Sequence, residues 1–327
     1  KLFKVLFFNS MLMGTFITMS AYSWFIAWMG LEINLLSIIP LLKNHKNKYP
    51  SESALKYFMI QVMASSILLF SMIYFFSFKN PLSENINSIE SIFMSISLLL
   101  KMGAAPFHFW FPEVLSGLNW TNSFIMLTWQ KIAPITLLSY LIEINIVFIS
   151  IIIISSSIIS GLQGLNQICM RKILAYSSIN HVSWMISAML HSLNICFLYF
   201  IIYSIINLNM IYIFKKFKIY FLNQLTPMFS YNKKIKFFFM LNFLSLGGLP
   251  PFLGFFPKWL VINNLVYSYN YTLTCILIIF TLISLYFYLR ITFTSITIFT
   301  EESLIILFNK MSFFQFMSNL FSLMGLI

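Results

Sequence analysis

Gly103-Ala104-Ala105-Pro106-Phe107-His108-Phe109-Trp110-Phe111-Pro112-Glu113 is matched, 145 positions on, by Gly248-Leu249-Pro250-Pro251-Phe252-Leu253-Gly254-Phe255-Phe256-Pro257-Lys258. Gly, Pro, Phe, Phe and Pro coincide, and Trp110 meets Phe255. Both segments lie inside long apolar runs. Proline removes a backbone donor and clashes with the preceding helical turn, so each segment is expected to break its helix. Non-helical backbone at membrane depth is tolerated only where it is buried in protein or lines a polar cavity. A plain packing kink is the competing reading of either break taken alone.

The surrounding composition sets the class. The chain has 327 residues, of which 60% are hydrophobic and 9% charged, and its mean hydropathy is +0.88. A soluble domain is roughly 25% charged, so this is an all-α polytopic membrane protein. Spans of about 20 apolar residues are expected at about 3–20, 23–42, 54–78, 90–112, 120–142, 146–165, 173–190, 193–214, 237–262, 271–298 and 312–327, eleven in all. The two broken segments fall in spans four and nine. An odd number of crossings separates them, so the copies run in opposite directions. That is the pattern of an inverted-topology repeat. The expected organisation is a first repeat over 1–142, a second over 143–299 and a C-terminal helix over 300–327, the last span being cut short. The opening Lys1-Leu2-Phe3-Lys4 enters an apolar run at once, and no cleavable presequence is expected.

The net charge of +12 is distributed unevenly. With alternating spans, nearly all lysine outside the spans, from Lys1 and Lys4 to Lys310, falls on the N-terminal side. The other side holds Lys79 against Glu84, Glu90 and Glu143. By the positive-inside rule the N-terminal side faces the cytoplasm or the mitochondrial matrix. The basic charge is then a topology signal that also meets anionic headgroups, and no nucleic-acid partner is expected. Cys169, Cys196 and Cys275 lack ligand spacing, so neither zinc nor an iron–sulfur cluster is expected. No GxGxxG or GxxxxGK[ST] pattern occurs, and no nucleotide or other cofactor is expected.

Charges inside the spans are the candidate functional residues. Glu32 is centred in its span, Lys131 in another, and Lys101 precedes the first break by two residues. A charge at that depth costs roughly 2.5–3.5 kcal/mol on insertion scales. Such residues are retained mainly where they carry ions or protons. An apolar surrounding disfavours the charge of Glu32 and a facing lysine favours it, so its protonation can follow its partner. A static buried ion pair is the structural alternative. Lys258 follows the second break and sits nearer a span end, where it could snorkel to the headgroups. His108 lies inside the first break, and the ordinary titration range of histidine suits a relay between Lys101 and Lys131. A hydrogen-bonded core histidine is an equal alternative. His181, in span seven, either lines a proton uptake path or, the favoured reading, pairs with a carbonyl. Arg290 cannot exchange a proton and reads as structural or as a fixed charge.

These residues carry a family resemblance. Ala27-Trp28-Met29-Gly30-Leu31-Glu32-Ile33-Asn34, the run from Lys101 to Trp110, Trp129-Gln130-Lys131-Ile132-Ala133-Pro134, the run from Arg171 to His181 and the run from Gly247 to Trp259 resemble the subunit 2 family of mitochondrial NADH:ubiquinone oxidoreductase (respiratory complex I), in its arthropod form. The resemblance covers about residues 14 to 295. It implies an antiporter-like fold of two inverted five-helix repeats in the mitochondrial inner membrane, with the N-terminus in the matrix. It also implies a midplane axis of Glu32, Lys101, Lys131 and Lys258, driven by redox chemistry elsewhere in the complex. The implied partners are other membrane-arm subunits, including the antiporter-like subunit 4 and the small subunit 4L, accessory subunits, and phospholipids such as cardiolipin. Two rival readings stay open. A stand-alone cation/proton antiporter is weakened by the absence of Asp, since hard cations want oxygen ligands. In the other, the chain is a scaffold joining pump subunits.

Overall fold

The computed structural model describes residues 2–43, 47–78, 88–225, 233–296 and 319. The expected span over 312–327 lies outside them apart from Asn319, as do Lys1, Lys46, Lys79, Glu84 and Lys310 from the charge-side reading. Among the described residues the chain is helical, with a single isolated bridge between Cys169 and Phe221. The helices are α1 (Leu2–Met19), α2 (Trp24–Leu42), α3 (Tyr49–Phe78), α4 (Ser88–Met102), α5 (Trp110–Gly117), α6 (Trp120–Leu127), α7 (Trp129–Ser139), α8 (Ile146–Leu165), α9 (Met170–Met189), α10 (Leu193–Phe217), α11 (Lys233–Gly247), α12 (Phe255–Tyr267) and α13 (Tyr271–Ile296).

Among the described residues, six segments are long and apolar enough to cross a membrane: Leu2–Met19, Trp24–Leu42, Tyr49–Tyr74, Ile146–Leu165, Leu193–Phe217 and Tyr271–Phe293. The remaining expected spans take two other forms. Some are split into shorter helices. α9 is long enough but polar, and it is buried along nearly its whole length. Its hydroxyls satisfy themselves on the preceding turn: Ser177 donates to the Leu174 carbonyl at 2.8 Å, Ser178 to Ala175 at 2.7 Å and Ser183 to Asn180 at 2.6 Å. This back-bonding lets a serine-rich helix sit in an apolar interior.

The chain forms two compact units, 1–152 and 153–327, with the division inside α8. In the first unit, α1 and α2 meet backbone to backbone. A Cβ on Gly30 would lie 2.6 Å from Thr18 Cγ2 and 2.9 Å from the Gly14 carbonyl oxygen. This close approach supports α2 two residues before Glu32. On the other side, Trp28 Nε1 donates to the Ser65 carbonyl at 3.2 Å and ties α2 to α3. In the second unit, Gly161 and Gly164 of α8 let α13 pack closely. A Cβ on Gly164 would come within 2.9 Å of the Phe287 ring.

The expected breaks in spans four and nine are both present, between α4 and α5 and between α11 and α12. Gly103 has φ +72° and Gly248 φ +78°, a left-handed conformation that costs an L-residue with a side chain roughly 1–2 kcal/mol. The two matched glycines therefore perform the same turn at the same point of each segment. The expected continuous span over 120–142 is corrected: it is interrupted at Thr128, between α6 and α7. There the backbone has φ −116° and ψ −74°, and Thr128 Oγ1 donates to the Phe124 carbonyl at 2.7 Å. The visible breaker, Pro134, lies inside α7 without ending it.

Candidate functional site

Four helices of the first unit converge on Lys101, which is buried at the end of α4 with only 7% exposure. The break that follows frees carbonyls at the end of α4, and Gln61 Nε2 of α3 donates to the Lys101 carbonyl at 3.3 Å. Beside Lys101 is a small cavity whose polar lining is Asn34 of α2, Tyr57 and Gln61 of α3, Lys101 and Gln130 of α7. Its internal space is roughly 10 Å³, room for about one water.

Glu32 is half-buried one turn from this wall. Among the described residues its Oε1 is buried without a hydrogen-bond partner. No hydrogen bond or ion pair joins it to Lys101, yet it is close enough to act electrostatically on Lys101 and on Tyr57. The structure thus places carboxylate and ammonium within each other's field rather than in a clasped pair. Attraction falls only as the inverse of distance, so the two stay coupled without a bond that must be broken.

Lys131, three residues past the Thr128 interruption, is 2% exposed. Its Nζ lies 5.1 Å from the centre of the Phe111 ring, a cation–π distance. Phe111 opens the helix after the first break, so the break also delivers the aromatic face that covers Lys131. His108 is fully buried, with Nδ1 3.3 Å from the Pro106 carbonyl oxygen. A carbonyl can only accept, so any hydrogen bond at this contact is donated by Nδ1–H.

The second unit holds a related arrangement. Lys258, on the first turn of α12, folds back into the break. Its Nζ donates to the Gly247 carbonyl at 2.8 Å and reaches Leu246 O at 3.5 Å. It is 6% exposed, so the side chain turns inward to the freed carbonyls at the end of α11 rather than taking the snorkelling alternative. Gly248 is shaped around it, since a Cβ there would lie 2.9 Å from both Cδ and Nζ of Lys258. A Cβ on Gly254 would collide with the Ser245 carbonyl. In the repeat, Leu246 corresponds to Lys101. The carbonyls of these matched residues are met by an ammonium in one unit and by the Gln61 amide in the other. The residue matching Lys258 in the first unit is Glu113, an exposed carboxylate that pairs with Lys56 at 3.1 Å.

His181 is buried in α9, and its Nδ1 lies 2.8 Å from the Tyr199 hydroxyl. A phenol hydroxyl is thus one partner of this ring, beside the carbonyl that the sequence reading favoured. Arg290 is structural: it donates to Leu165 O at 2.6 Å and to Gln167 O at 2.8 Å, closing the C-terminal end of α8. Charged hydrogen bonds of this kind contribute about 1.5–3 kcal/mol. Arg290→Gln is expected to lower the melting temperature of the purified assembly by several degrees, while protons moved per turnover stay at the parental value; differential scanning fluorimetry and a pumping assay check this.

Sequence reasoning missed Asn34, Tyr57, Gln61 and Gln130. The available signal was weak: neutral polar side chains recur within apolar runs, but nothing in the sequence links the three helices that carry them.

Apolar helices broken by Gly and Pro, with buried lysines at the breaks, define an antiporter-like membrane protein. The chain belongs to the NADH:quinone oxidoreductase/Mrp antiporter transmembrane family, whose match spans residues 21–284. It is 47% identical to NADH-ubiquinone oxidoreductase chain 2 of Anopheles gambiae, over 100% of this chain and 97% of that one. It is 46% identical to the chain of the same name from Locusta migratoria, over 92% of this chain and 87% of that one. Among solved structures it resembles a chain of respiratory complex I from Thermus thermophilus, with TM-score 0.87 and 21% identity, covering 100% of this chain and 78% of the other. That last likeness concerns the fold.

Proposed function

We propose that the chain is a membrane-arm subunit of NADH:ubiquinone oxidoreductase that translocates protons across the mitochondrial inner membrane, with redox chemistry elsewhere in the complex as the driving force. The observation that carries this reading is the burial of Lys101, Lys131 and Lys258 in helices of a membrane protein, two of them at matched helix breaks. Lysine, unlike arginine, can give up its proton when its surroundings change.

In this reading eleven spans form two inverted repeats, 1–142 and 143–299, followed by a C-terminal helix over 300–327. The N-terminus lies in the matrix, in keeping with the lysine asymmetry. A change of charge at one end of the membrane arm alters the field between Glu32 and Lys101. Lys101 then releases a proton through water and His108 toward Lys131, and Lys258 serves the second repeat. Moving one charge against 100 mV costs about 2.3 kcal/mol, within reach of a change in the Coulomb interaction between two poorly solvated charges. The antiporter-like subunit 4 and the small subunit 4L are the proposed neighbours, together with accessory subunits and cardiolipin at the basic matrix side.

Glu32→Gln tests the reading, because it removes the charge while keeping the shape. In vesicles containing the assembled complex, proton ejection coupled to NADH oxidation is expected to fall about 10-fold, a loss of about 1.4 kcal/mol. NADH oxidation by a hydrophilic electron acceptor, which bypasses the membrane arm, is expected to be unchanged. Parental pumping in that variant would leave Glu32 without the assigned role.

A further inference from the structure

Gln130 occupies a particular position in the first unit. It comes from α7, next to Lys131 in the chain, and reaches the cavity beside Lys101. Both ends of its side-chain amide are engaged. Its Oε1 accepts from the Tyr57 hydroxyl at 3.3 Å, and its Nε2 donates to Asn34 Oδ1 at 3.0 Å. One side chain therefore ties α7 to α3 and α2 across the cavity. Tyr57 and Asn34 are themselves buried, at 3% exposure each, so these bonds have little competition from bulk water.

The chemistry of an amide matters here. It has no readily titrated proton, and it donates through nitrogen and accepts through oxygen. Held between Tyr57 and Asn34, it cannot pass a proton along in the way a water molecule or a histidine can. The cavity behind it has room for about one water. Asn34, Gln61 and Lys101 line it with polar groups that can hold that water. A single water is enough to solvate Lys101 but too short to be a chain.

We propose that Gln130 is a positioning residue that gates the water path at Lys101: bonded to Tyr57 and Asn34 it limits the cavity to one water, and its release opens the path. The inference rests on the proton-translocating reading above and adds to it the element that keeps protons from running backwards. Glu32 and Lys101 supply the field and the proton, and Gln130 decides when water connects them onward.

Gln130→Ala is the direct test, in vesicles containing the assembled complex. Loss of the amide leaves the path permanently wet. Protons ejected per NADH are expected to match the parent when the membrane is de-energised and to fall by at least about twofold as the potential rises. Passive proton permeability is expected to rise in parallel. Tyr57→Phe removes one of the two bonds at nearly constant volume and is expected to show the same dependence on potential, more weakly. It decides the matter if Gln130→Ala fails to assemble. A merely structural role would lower assembly or uncoupled turnover without a dependence on potential. A parental ratio at every imposed potential, in Gln130→Ala or, where that variant does not assemble, in Tyr57→Phe, would overturn the proposal. Lys101→Met run alongside separates the two layers: if it pumps normally the relay itself is wrong, and if it fails while the Gln130 and Tyr57 variants behave as the parent, only the gate is wrong.

Discussion

Lys101→Met is expected to assemble and to lose coupled proton translocation by 10- to 100-fold, a rise of about 1.4 to 2.7 kcal/mol in the barrier. Methionine fills nearly the same space, so the packing of α4 against α3 and α7 is kept. What disappears is the basic group that lines the cavity shared by Asn34, Tyr57, Gln61 and Gln130. Glu32, whose Oε1 already lacks a hydrogen bond, also loses a cation that acts on it. Glu32 is then left without that electrostatic partner and is expected to cease to respond to the redox cycle. Lys101→Arg separates charge from proton exchange. It keeps the cation but cannot release its proton, and is expected to assemble well and pump as poorly as Lys101→Met. Pumping by the arginine variant would mean that a fixed charge is all the position needs.

The second large effect belongs to the break in the second unit. Lys258→Met leaves the Gly247 and Leu246 carbonyls without the ammonium that now meets them at 2.8 and 3.5 Å. Loss of a hydrogen bond to a charged group costs about 1.5–3 kcal/mol. Lower thermal stability of the assembly and at least a 10-fold loss of pumping are expected together. Gly248→Ala reaches the same site without touching the lysine. It places a Cβ 2.9 Å from Nζ and forces an L-residue to φ +78°. That displaces the ammonium from its carbonyls, and the variant is expected to reproduce both defects in milder form. A Gly248→Ala complex with parental stability and pumping would show that the close fit around Lys258 is incidental.

Much of this site was readable in the sequence, and the reasons are physical. Proline and glycine have few conformational options, so the two breaks and their 145-residue correspondence could be found from the residues alone. The matched positive φ of Gly103 and Gly248 is the backbone counterpart of that pattern. Charge inside an apolar run is equally conspicuous, which is why Glu32, Lys101 and Lys131 stood out. The interruption at Thr128 was not readable, because Thr-Trp-Gln contains no breaker, and Pro134 lies inside α7 without ending it. The depth of Lys258 was left open between burial and snorkelling for a related reason. Position along a span gives the depth of a Cα, whereas a four-carbon side chain can turn inward to a freed carbonyl as readily as outward to a headgroup. The amide network of Asn34 and Gln130 with Tyr57 was invisible, since neutral polar residues give no signal until their helices are placed together.

The ratio of protons ejected to NADH oxidised, measured in sealed vesicles bearing fully assembled Lys101→Met complex, tests the buried-lysine relay most directly. The relay predicts that the ratio, or the coupled turnover that sets it, falls at least 10-fold while NADH oxidation by a hydrophilic acceptor stays at the parental rate. A parental ratio at parental coupled turnover would contradict it.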